Sequence, residues 1–127
     1  MKNTIHTDKA PNAVGPYSQA VSIQCQELIF CSGQIPLDPN TQEMVKGDIQ
    51  MQTRRVMENI KAVLYASNSE FSKVLKCTVF LKRMSDFAAM NEVYAQYFPE
   101  NPPARSAVEV SELPKGADIE IDVIAHH

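Results

Sequence analysis

The sequence predicts an α+β domain in which two helices cover one face of an antiparallel or mixed sheet. Strand and helix patterns follow one another in the order strand, strand, strand, helix, strand, helix, strand, strand. The helix patterns place apolar residues at i, i+3 and i+4, whereas the strand patterns alternate with a period of two. Because no repeat or linker divides the 127 residues, we expect a single domain spanning 1–127.

The first three strand patterns are short and bounded by turn-forming residues. They are predicted at Ile5, at 20–24 and at 28–35. Gln26 and Glu27 are expected to close a tight turn that pairs the second and third strands as a hairpin. Gly33 predicts a β-bulge, a close approach of another group to the backbone, or a plain packing constraint.

The two helix patterns carry start signals as well as apolar stripes. Asp48 is a credible N-cap for a helix that runs to about Ser67, and Ser85 or Asp86 is one for a helix that stops before Pro99. The predicted stripes are Ile49, Val56, Ile60, Val63 and Leu64 on the first helix and Phe87, Met90, Tyr94 and Tyr97 on the second. Between the helices, a strand over 74–82 is expected to point Leu75, Cys77, Val79 and Leu81 toward the core.

Arg105 stands at the start of the next strand, directly after a rigid corner made by Pro102 and Pro103. The residues that follow alternate as a strand that we expect to be buried. An arginine fork matches both oxygens of a carboxylate and keeps its charge when partly buried, which favours capture of an anionic ligand. Pairing with Glu109 or Glu112 at a rim explains the arginine about equally well.

The last strand, over 117–125, has one apolar and one acidic face, and Glu120 and Asp122 lie on the acidic one. A solvated carboxylate is the default, since an antiparallel sheet can leave one face to water. The alternative is that another subunit covers this face and that Glu120 lies at the wall of an interface cleft. A bare sheet face in so small a domain often indicates oligomerisation.

Composition argues against several functional classes. A formal charge of −3 and a pI near 5.6 give no electrostatic footprint for nucleic acid, so no nucleic-acid partner is expected. We find no secretory signal and no apolar stretch that would span a bilayer, so the protein is expected to be cytoplasmic with no membrane partner. Three cysteines without paired spacing favour reduced thiols, and no metal site is expected.

Several segments together resemble the reactive intermediate deaminase family, RidA or YjgF, and in particular its 2-iminobutanoate/2-iminopropanoate deaminases. The resemblance covers nearly the full chain, and its specificity lies in the joint order and spacing of the segments. These are Ala10-Pro11, Gly15-Pro16-Tyr17-Ser18-Gln19-Ala20, Ser32-Gly33-Gln34-Ile35-Pro36, 59–64, 78–81, Asp86-Phe87 with Asn91 and Tyr94, Pro103-Ala104-Arg105-Ser106, and Leu113-Pro114-Lys115 leading into Ile119-Glu120-Ile121.

The resemblance implies a chorismate-mutase-like two-layer sandwich that forms a homotrimer with clefts between subunits. It implies hydrolysis of 2-imino and enamine acids, such as 2-aminoacrylate, 2-iminopropanoate and 2-iminobutanoate, to 2-keto acids and ammonia without metal or organic cofactor. The implied small-molecule substrate carries a carboxylate.

The resemblance also implies roles for individual residues. Arg105 would clamp the substrate carboxylate, Glu120 would position or activate water, and Tyr17 would close the cleft from a neighbouring chain. Gly33 and Asn91 would shape the cleft. Ala107 stands where these deaminases commonly have cysteine, so only its backbone groups can contribute and no thiol-dependent mechanism applies.

Two alternatives to the enzyme remain open. A regulatory trimer would bind a keto acid or an amino acid at Arg105 without turnover, since a fold does not fix a function. An RNA-directed ribonuclease or translation inhibitor is disfavoured by the acidic charge and by the lack of an aromatic and basic groove pattern.

Overall fold

The computed structural model describes residues 2–25 and 27–127. The helices and strands are β1 (Lys2–Ile5), β2 (Ala20–Ile23), β3 (Leu28–Gln34), α1 (Ile49–Ala66), β4 (Val74–Leu81), α2 (Phe87–Tyr97), β5 (Ala104–Glu109) and β6 (Ile119–His126). The predicted order of elements is confirmed. No helix within the described residues is long and apolar enough to cross a membrane.

The main sheet has four strands in the order β3, β6, β4, β5. It is mixed, because β6 runs antiparallel to β3 and β4 whereas β5 runs parallel to β4. The predicted hairpin between the second and third strands is wrong: β2 pairs with β1 in a separate two-stranded sheet, and β3 pairs with β6. Of the two turn residues, Gln26 lies outside the described residues.

Both helices pack on one face of the main sheet, and the core lies between them, so the predicted α+β architecture is confirmed. Asp48 caps α1 as predicted, since its carboxylate accepts a hydrogen bond from the Met51 backbone N–H at 2.9 Å. Asp86 precedes α2, but its side chain makes no capping bond and instead approaches Arg83. Val63 was predicted to lie in the apolar stripe of α1 and is in fact exposed.

Two strands differ from their predicted burial. In β4 a register irregularity between Val74 and Lys76 turns Val74 into the core and leaves Leu75 only half-buried. The predicted core positions Cys77, Val79 and Leu81 are fully buried. The strand after Arg105 was expected to be buried, but β5 is an edge strand whose Val108 is 41% exposed.

No helix or strand within the described residues covers the second face of the sheet. Phe30 is 72% exposed there, and Leu28 and Val108 are also exposed. Glu120 and Asp122 lie on the same face because they alternate with the buried Ile119, Ile121 and Val123 along β6. This face therefore combines apolar and acidic side chains that have no cover in the single chain.

Candidate functional site

The candidate site is centred on Arg105, the second residue of β5. Arg105 lies beside Cys77 in the parallel register of β4 and β5, which puts its side chain on the helix-covered face of the sheet. Because β5 is an edge strand and Arg105 stands near its beginning, the side chain is only half-buried. The proline corner at 102–103 thus places the Arg105 guanidinium at the edge of the hydrophobic core.

Three aromatic rings surround the guanidinium. Its central carbon lies 4.8 Å from the ring centroid of Tyr94, 5.4 Å from that of Phe87 and 5.7 Å from that of Tyr17. These are distances at which the ring faces attract a cation. Asn91 fixes the orientation of the guanidinium, since its side-chain oxygen accepts a hydrogen bond from Arg105 Nη1 at 2.5 Å. Helix α2 supplies Phe87, Asn91 and Tyr94 from successive turns of one face.

No carboxylate within the described residues lies within ion-pairing distance of Arg105. The predicted alternative of a rim pair with Glu109 or Glu112 is therefore wrong. Glu109 is engaged elsewhere, accepting a hydrogen bond from the Met84 backbone N–H at 2.8 Å. Burial lowers the pKa of Arg105, while the neighbouring Tyr94, Cys77 and Tyr17 act in the opposite direction. A guanidinium nevertheless stays charged, so the site offers an uncompensated cation.

Behind the guanidinium, Tyr94 and Cys77 close the site toward the core. Both side chains are fully buried. Burial raises the pKa of the Cys77 thiol to about 12, against smaller opposing effects of Tyr94 and Arg105, and it also raises the pKa of Tyr94. Within the described part of the chain, the Tyr94 hydroxyl has no well-formed hydrogen bond and has the Cys77 thiol as its polar neighbour. Both groups are neutral at physiological pH and add no charge to offset Arg105.

Tyr17 reaches this site from the same chain, whereas the resemblance implied that it would come from a neighbouring one. Its hydroxyl accepts a hydrogen bond from the Val14 backbone N–H at 3.2 Å, which orients the ring within its loop. The loop passes close to α2, because a Cβ at Gly15 would lie 3.8 Å from the Asn91 side-chain nitrogen. Gly15 also has a φ of +110°, a conformation that favours glycine.

Ala107 lies two residues beyond Arg105 on the same face of β5. It is half-buried against the core and is paired in register with Val79. Its methyl group adds no hydrogen-bond donor or acceptor to the site.

Gly33 and Glu120 form a second cluster on the other face of the sheet. The register of β3 and β6 shifts between Cys31 and Gln34, and a Cβ at Gly33 would collide with the Glu120 carboxylate. The close approach predicted for Gly33 is thus confirmed, and the register shift at this position is consistent with the predicted bulge. The collision explains why this position requires glycine although its backbone φ does not.

The structure therefore brings the predicted site residues together as two groups. Arg105, Tyr17, Asn91 and Ala107 share the helix-covered side, whereas Gly33 and Glu120 lie on the uncovered side. The sheet separates the two groups within the single chain, so Glu120 does not share a cleft with Arg105 of its own chain.

Sequence reasoning missed Phe87 and Tyr94 as part of the site. Both were assigned to the core stripe of α2, and Tyr94 does lie in the core. Aromatic residues spaced with Asn91 along one helix face were the available signal, but they became informative only once α2 was placed beside Arg105. No group of three or more potential metal ligands occurs in the part of the chain that the structure describes.

Comparison with known proteins gives a consistent match. The family model described as "Endoribonuclease L-PSP" matches residues 7–127. A RutC family protein of Pyrococcus horikoshii is 58% identical over 126 residues, covering 99% of this chain and 98% of that protein. The human protein named 2-iminobutanoate/2-iminopropanoate deaminase is 42% identical over 125 residues, covering 98% of this chain and 90% of that protein.

Solved structures agree with the sequence match. The crystal structure of a putative endoribonuclease from Thermotoga maritima has a TM-score of 0.78 and 50% identity, covering 100% of this chain and 98% of that one. Escherichia coli TdcF with bound serine has a TM-score of 0.75 and 41% identity, with 98% of each chain covered. From the match of the family model and these relatives, the chain belongs to the endoribonuclease L-PSP family, the family of the RidA, YjgF and RutC proteins.

Proposed function

We propose that this protein hydrolyses reactive 2-imino acids and their enamine tautomers, among them 2-aminoacrylate with 2-iminopropanoate and 2-iminobutanoate, to 2-keto acids and ammonia. One observation carries the proposal: Arg105 is a half-buried, aromatic-caged cation with no carboxylate partner in the described residues. A cation held in this way is suited to bind an anionic group from outside the chain. A 2-imino acid places such a carboxylate next to the electrophilic C=N carbon.

The chemistry needs only orientation and proton transfer. Arg105 would hold the carboxylate through two hydrogen bonds, which fixes the adjacent C=N carbon in space. Water adds to the carbon of the protonated imine while Glu120 accepts one of its protons, so the C=N double bond becomes a C–N single bond and the carbon bears a hydroxyl and an amino group. Glu120 then returns the proton to the nitrogen. The C–N bond breaks and ammonia leaves, while the hydroxyl loses its proton to Glu120 or water and becomes the carbonyl of the keto acid. No electron is gained or lost, so no redox partner or cofactor is required.

The placement of Glu120 supports a homotrimer with clefts between subunits. Glu120 and Gly33 lie on the opposite sheet face from Arg105, so a cleft containing both groups requires two protomers. The uncovered face supplies apolar area for such contacts, with Phe30, Leu28 and Val108 exposed. In this arrangement one chain provides Arg105, Tyr17, Asn91 and Ala107, and the next provides Glu120 over Gly33.

The relatives support the same proposal. The human relative is named as a 2-iminobutanoate/2-iminopropanoate deaminase, and TdcF was solved with serine, a molecule with an α-carboxylate and an α-nitrogen. The α-carboxylate is the group that an Arg105 clamp would bind. Because Ala107 carries no thiol, the proposed mechanism uses none.

The decisive experiment follows ammonia and keto-acid release from freshly generated 2-aminoacrylate. An enzyme accelerates the decay beyond the rate in buffer, in proportion to protein concentration. Decay at the buffer rate in the presence of folded protein would refute the proposal.

A keto-acid or amino-acid sensor is the second candidate, because the Arg105 cage can bind a carboxylate without any contribution from Glu120. Calorimetric binding of 2-ketobutyrate together with an unaccelerated decay of 2-aminoacrylate would favour the sensor. An RNA-directed role, which the family description names, finds little support in a chain with a formal charge of −3. RNA binding measured across salt concentrations tests it.

A further inference from the structure

The loop that carries Tyr17 is exposed, yet side-chain bonds from its own final residue hold it closed. We call residues 7–19 the strap. Its residues 7–12 are exposed, and Val14 is 82% exposed at its tip. An exposed loop with little apolar contact opens easily unless specific bonds hold it. The strap therefore needs tethers if Tyr17 is to stay against Arg105.

Gln19 provides the main tether by bonding to the beginning of the strap. Its side-chain oxygen accepts a hydrogen bond from the Thr7 backbone N–H at 2.7 Å. Its side-chain nitrogen donates to the Thr7 carbonyl at 3.1 Å and to the Pro11 carbonyl at 2.6 Å. The amide thus satisfies both backbone groups of Thr7, as a neighbouring strand would, and closes the strap into a ring.

Ser18 joins the closed strap to the corner that precedes Arg105. Its backbone N–H donates to the Pro103 carbonyl at 3.1 Å, and its hydroxyl donates to the Pro102 carbonyl at 2.5 Å. Tyr17 is therefore one residue away from a junction that lies two residues before Arg105. A change in the strap at this junction shifts the ring relative to the guanidinium.

We propose that Gln19 is a positioning residue: its amide closes the strap and thereby holds Tyr17 over the Arg105 guanidinium, so that the site is organised before substrate arrives. This role of Gln19 deepens the proposed function, and only its kinetic test depends on that function. Among the described residues, the Gln19 side chain bonds only to the strap, so it acts through Tyr17 and not on the substrate. Organising the ring in advance avoids an ordering cost during binding.

The test uses Gln19→Glu in the full-length protein. The carboxylate keeps the oxygen that faces the Thr7 N–H but loses the donor and places negative charge against the Thr7 and Pro11 carbonyls. Gln42→Glu is the matched control, because Gln42 also donates from its side-chain nitrogen to a loop carbonyl, that of Pro39 at 2.8 Å. It makes the same change of charge outside the strap.

Three measurements are expected to agree. Hydrogen exchange in a peptide covering 7–19 rises about tenfold or more in Gln19→Glu, because local opening exposes the Val14 and Tyr17 amides. The kcat/KM for 2-aminoacrylate falls by about tenfold or more, the scale of a misplaced contact group. In a Tyr17→Leu background, Gln19→Glu causes no further fall, because a residue that acts only through Tyr17 has nothing left to position. Gln42→Glu changes none of these values.

Unchanged exchange in the strap overturns the proposal, as does an equal fall in kcat/KM with and without the Tyr17 ring. If the wild-type protein does not accelerate imine decay, the proposed function fails separately. The affinity for 2-ketobutyrate in the same variants then replaces kcat/KM, and exchange in the strap still decides whether Gln19 holds it closed.

Discussion

At the residue scale, Arg105 combines three properties that are rarely found together at a structural arginine. It is half-buried, it is held by Asn91 and three aromatic rings, and it has no acid partner within the described residues. Burying a charge without compensation is unfavourable for folding. Its retention in that state is explained if a ligand anion supplies the missing charge.

Arg105→Lys is expected to fail nearly as badly as Arg105→Ala. A lysine ammonium does not reproduce the planar fork that binds two oxygens and stacks on rings. The loss of transition-state stabilisation is expected to be about 2–5 kcal/mol, by analogy with buried charge pairs. Measurement of kcat/KM for 2-aminoacrylate checks this, and substantial activity in Arg105→Lys would contradict the clamp. Arg55→Lys is the matched control, because Arg55 is also half-buried and bonds an asparagine, Asn59, at 3.1 Å.

Gly33→Ala is expected to destabilise the fold by about 1–3 kcal/mol, the usual cost of inserting a methyl group into filled space. The cause is the Glu120 carboxylate, which occupies the position of the new Cβ. Glu120→Ala in the same chain should therefore recover most of the loss, and urea unfolding at one protein concentration measures both. Gly116→Ala is the control: its φ is +68° and its Cβ would meet nothing within 4 Å, so Glu120→Ala should not relieve its cost.

At the scale of single elements, the sequence predicted where helices and strands lie better than it predicted which strands pair. Periodicity located both α-helices and the longer strands, and Asp48 marked the start of α1, because these features depend on neighbouring residues. The hairpin of β2 and β3 was wrong because strand pairing is decided by contacts remote in sequence. Leu75 was misplaced by an irregularity in β4, since a shift of one residue reverses which side chains face the core.

The candidate site likewise contains residues that local sequence identifies and residues that only the tertiary structure identifies. Arg105 was identifiable from its proline corner, and Gly33 from its place inside a strand, because both depend on local context. The cage of aromatic rings was not identifiable from the sequence, because Phe87 and Tyr94 resemble ordinary core residues of a helix. Only the parallel pairing of β5 with β4, which places Arg105 beside α2, shows that these rings belong to the site. Glu120 was assigned to the correct sheet face, but its separation from Arg105 follows only from the observed register.

Cys77 in β4 is expected to make stability fall with increasing pH in alkaline solution. Burial raises the pKa of its thiol from 9.0 to about 12, so between these values the unfolded chain loses the proton and the folded chain keeps it. Unfolding is then favoured as pH rises, by up to about 1.4 kcal/mol per pH unit from this group. Cys77→Ala should reduce that slope between pH 9 and 11, although it lowers stability by leaving a small cavity. Cys25→Ala, which removes an exposed thiol, should leave the slope unchanged, and an equal slope in Cys77→Ala would contradict the assignment.

At the scale of the whole molecule, the sheet divides the proposed catalytic groups into two half-sites. One half is built on β5, α2 and the strap, and the other on β6 and the bulge of β3. Neither half is complete by itself, because one lacks the base and the other lacks the carboxylate clamp. Closed symmetric assembly through the uncovered face would join the halves at each interface.

Mixing two inactive variants tests this assembly directly. Arg105→Ala removes the clamp, and Glu120→Gln removes the base while keeping the shape of the side chain, so each variant alone should lose about a hundredfold or more in kcat/KM. In mixed trimers made by co-expression, a cleft is intact when its clamp comes from the Glu120→Gln chain and its base from the Arg105→Ala chain. With equal amounts and random assembly, about a quarter of the clefts are intact, so about a quarter of the wild-type rate should return. The two variants mixed after separate assembly are the control and should stay inactive until subunits exchange, and light scattering is expected to give the mass of a trimer in each sample. Co-expressed trimers that remain inactive would show that Arg105 and Glu120 do not meet across an interface.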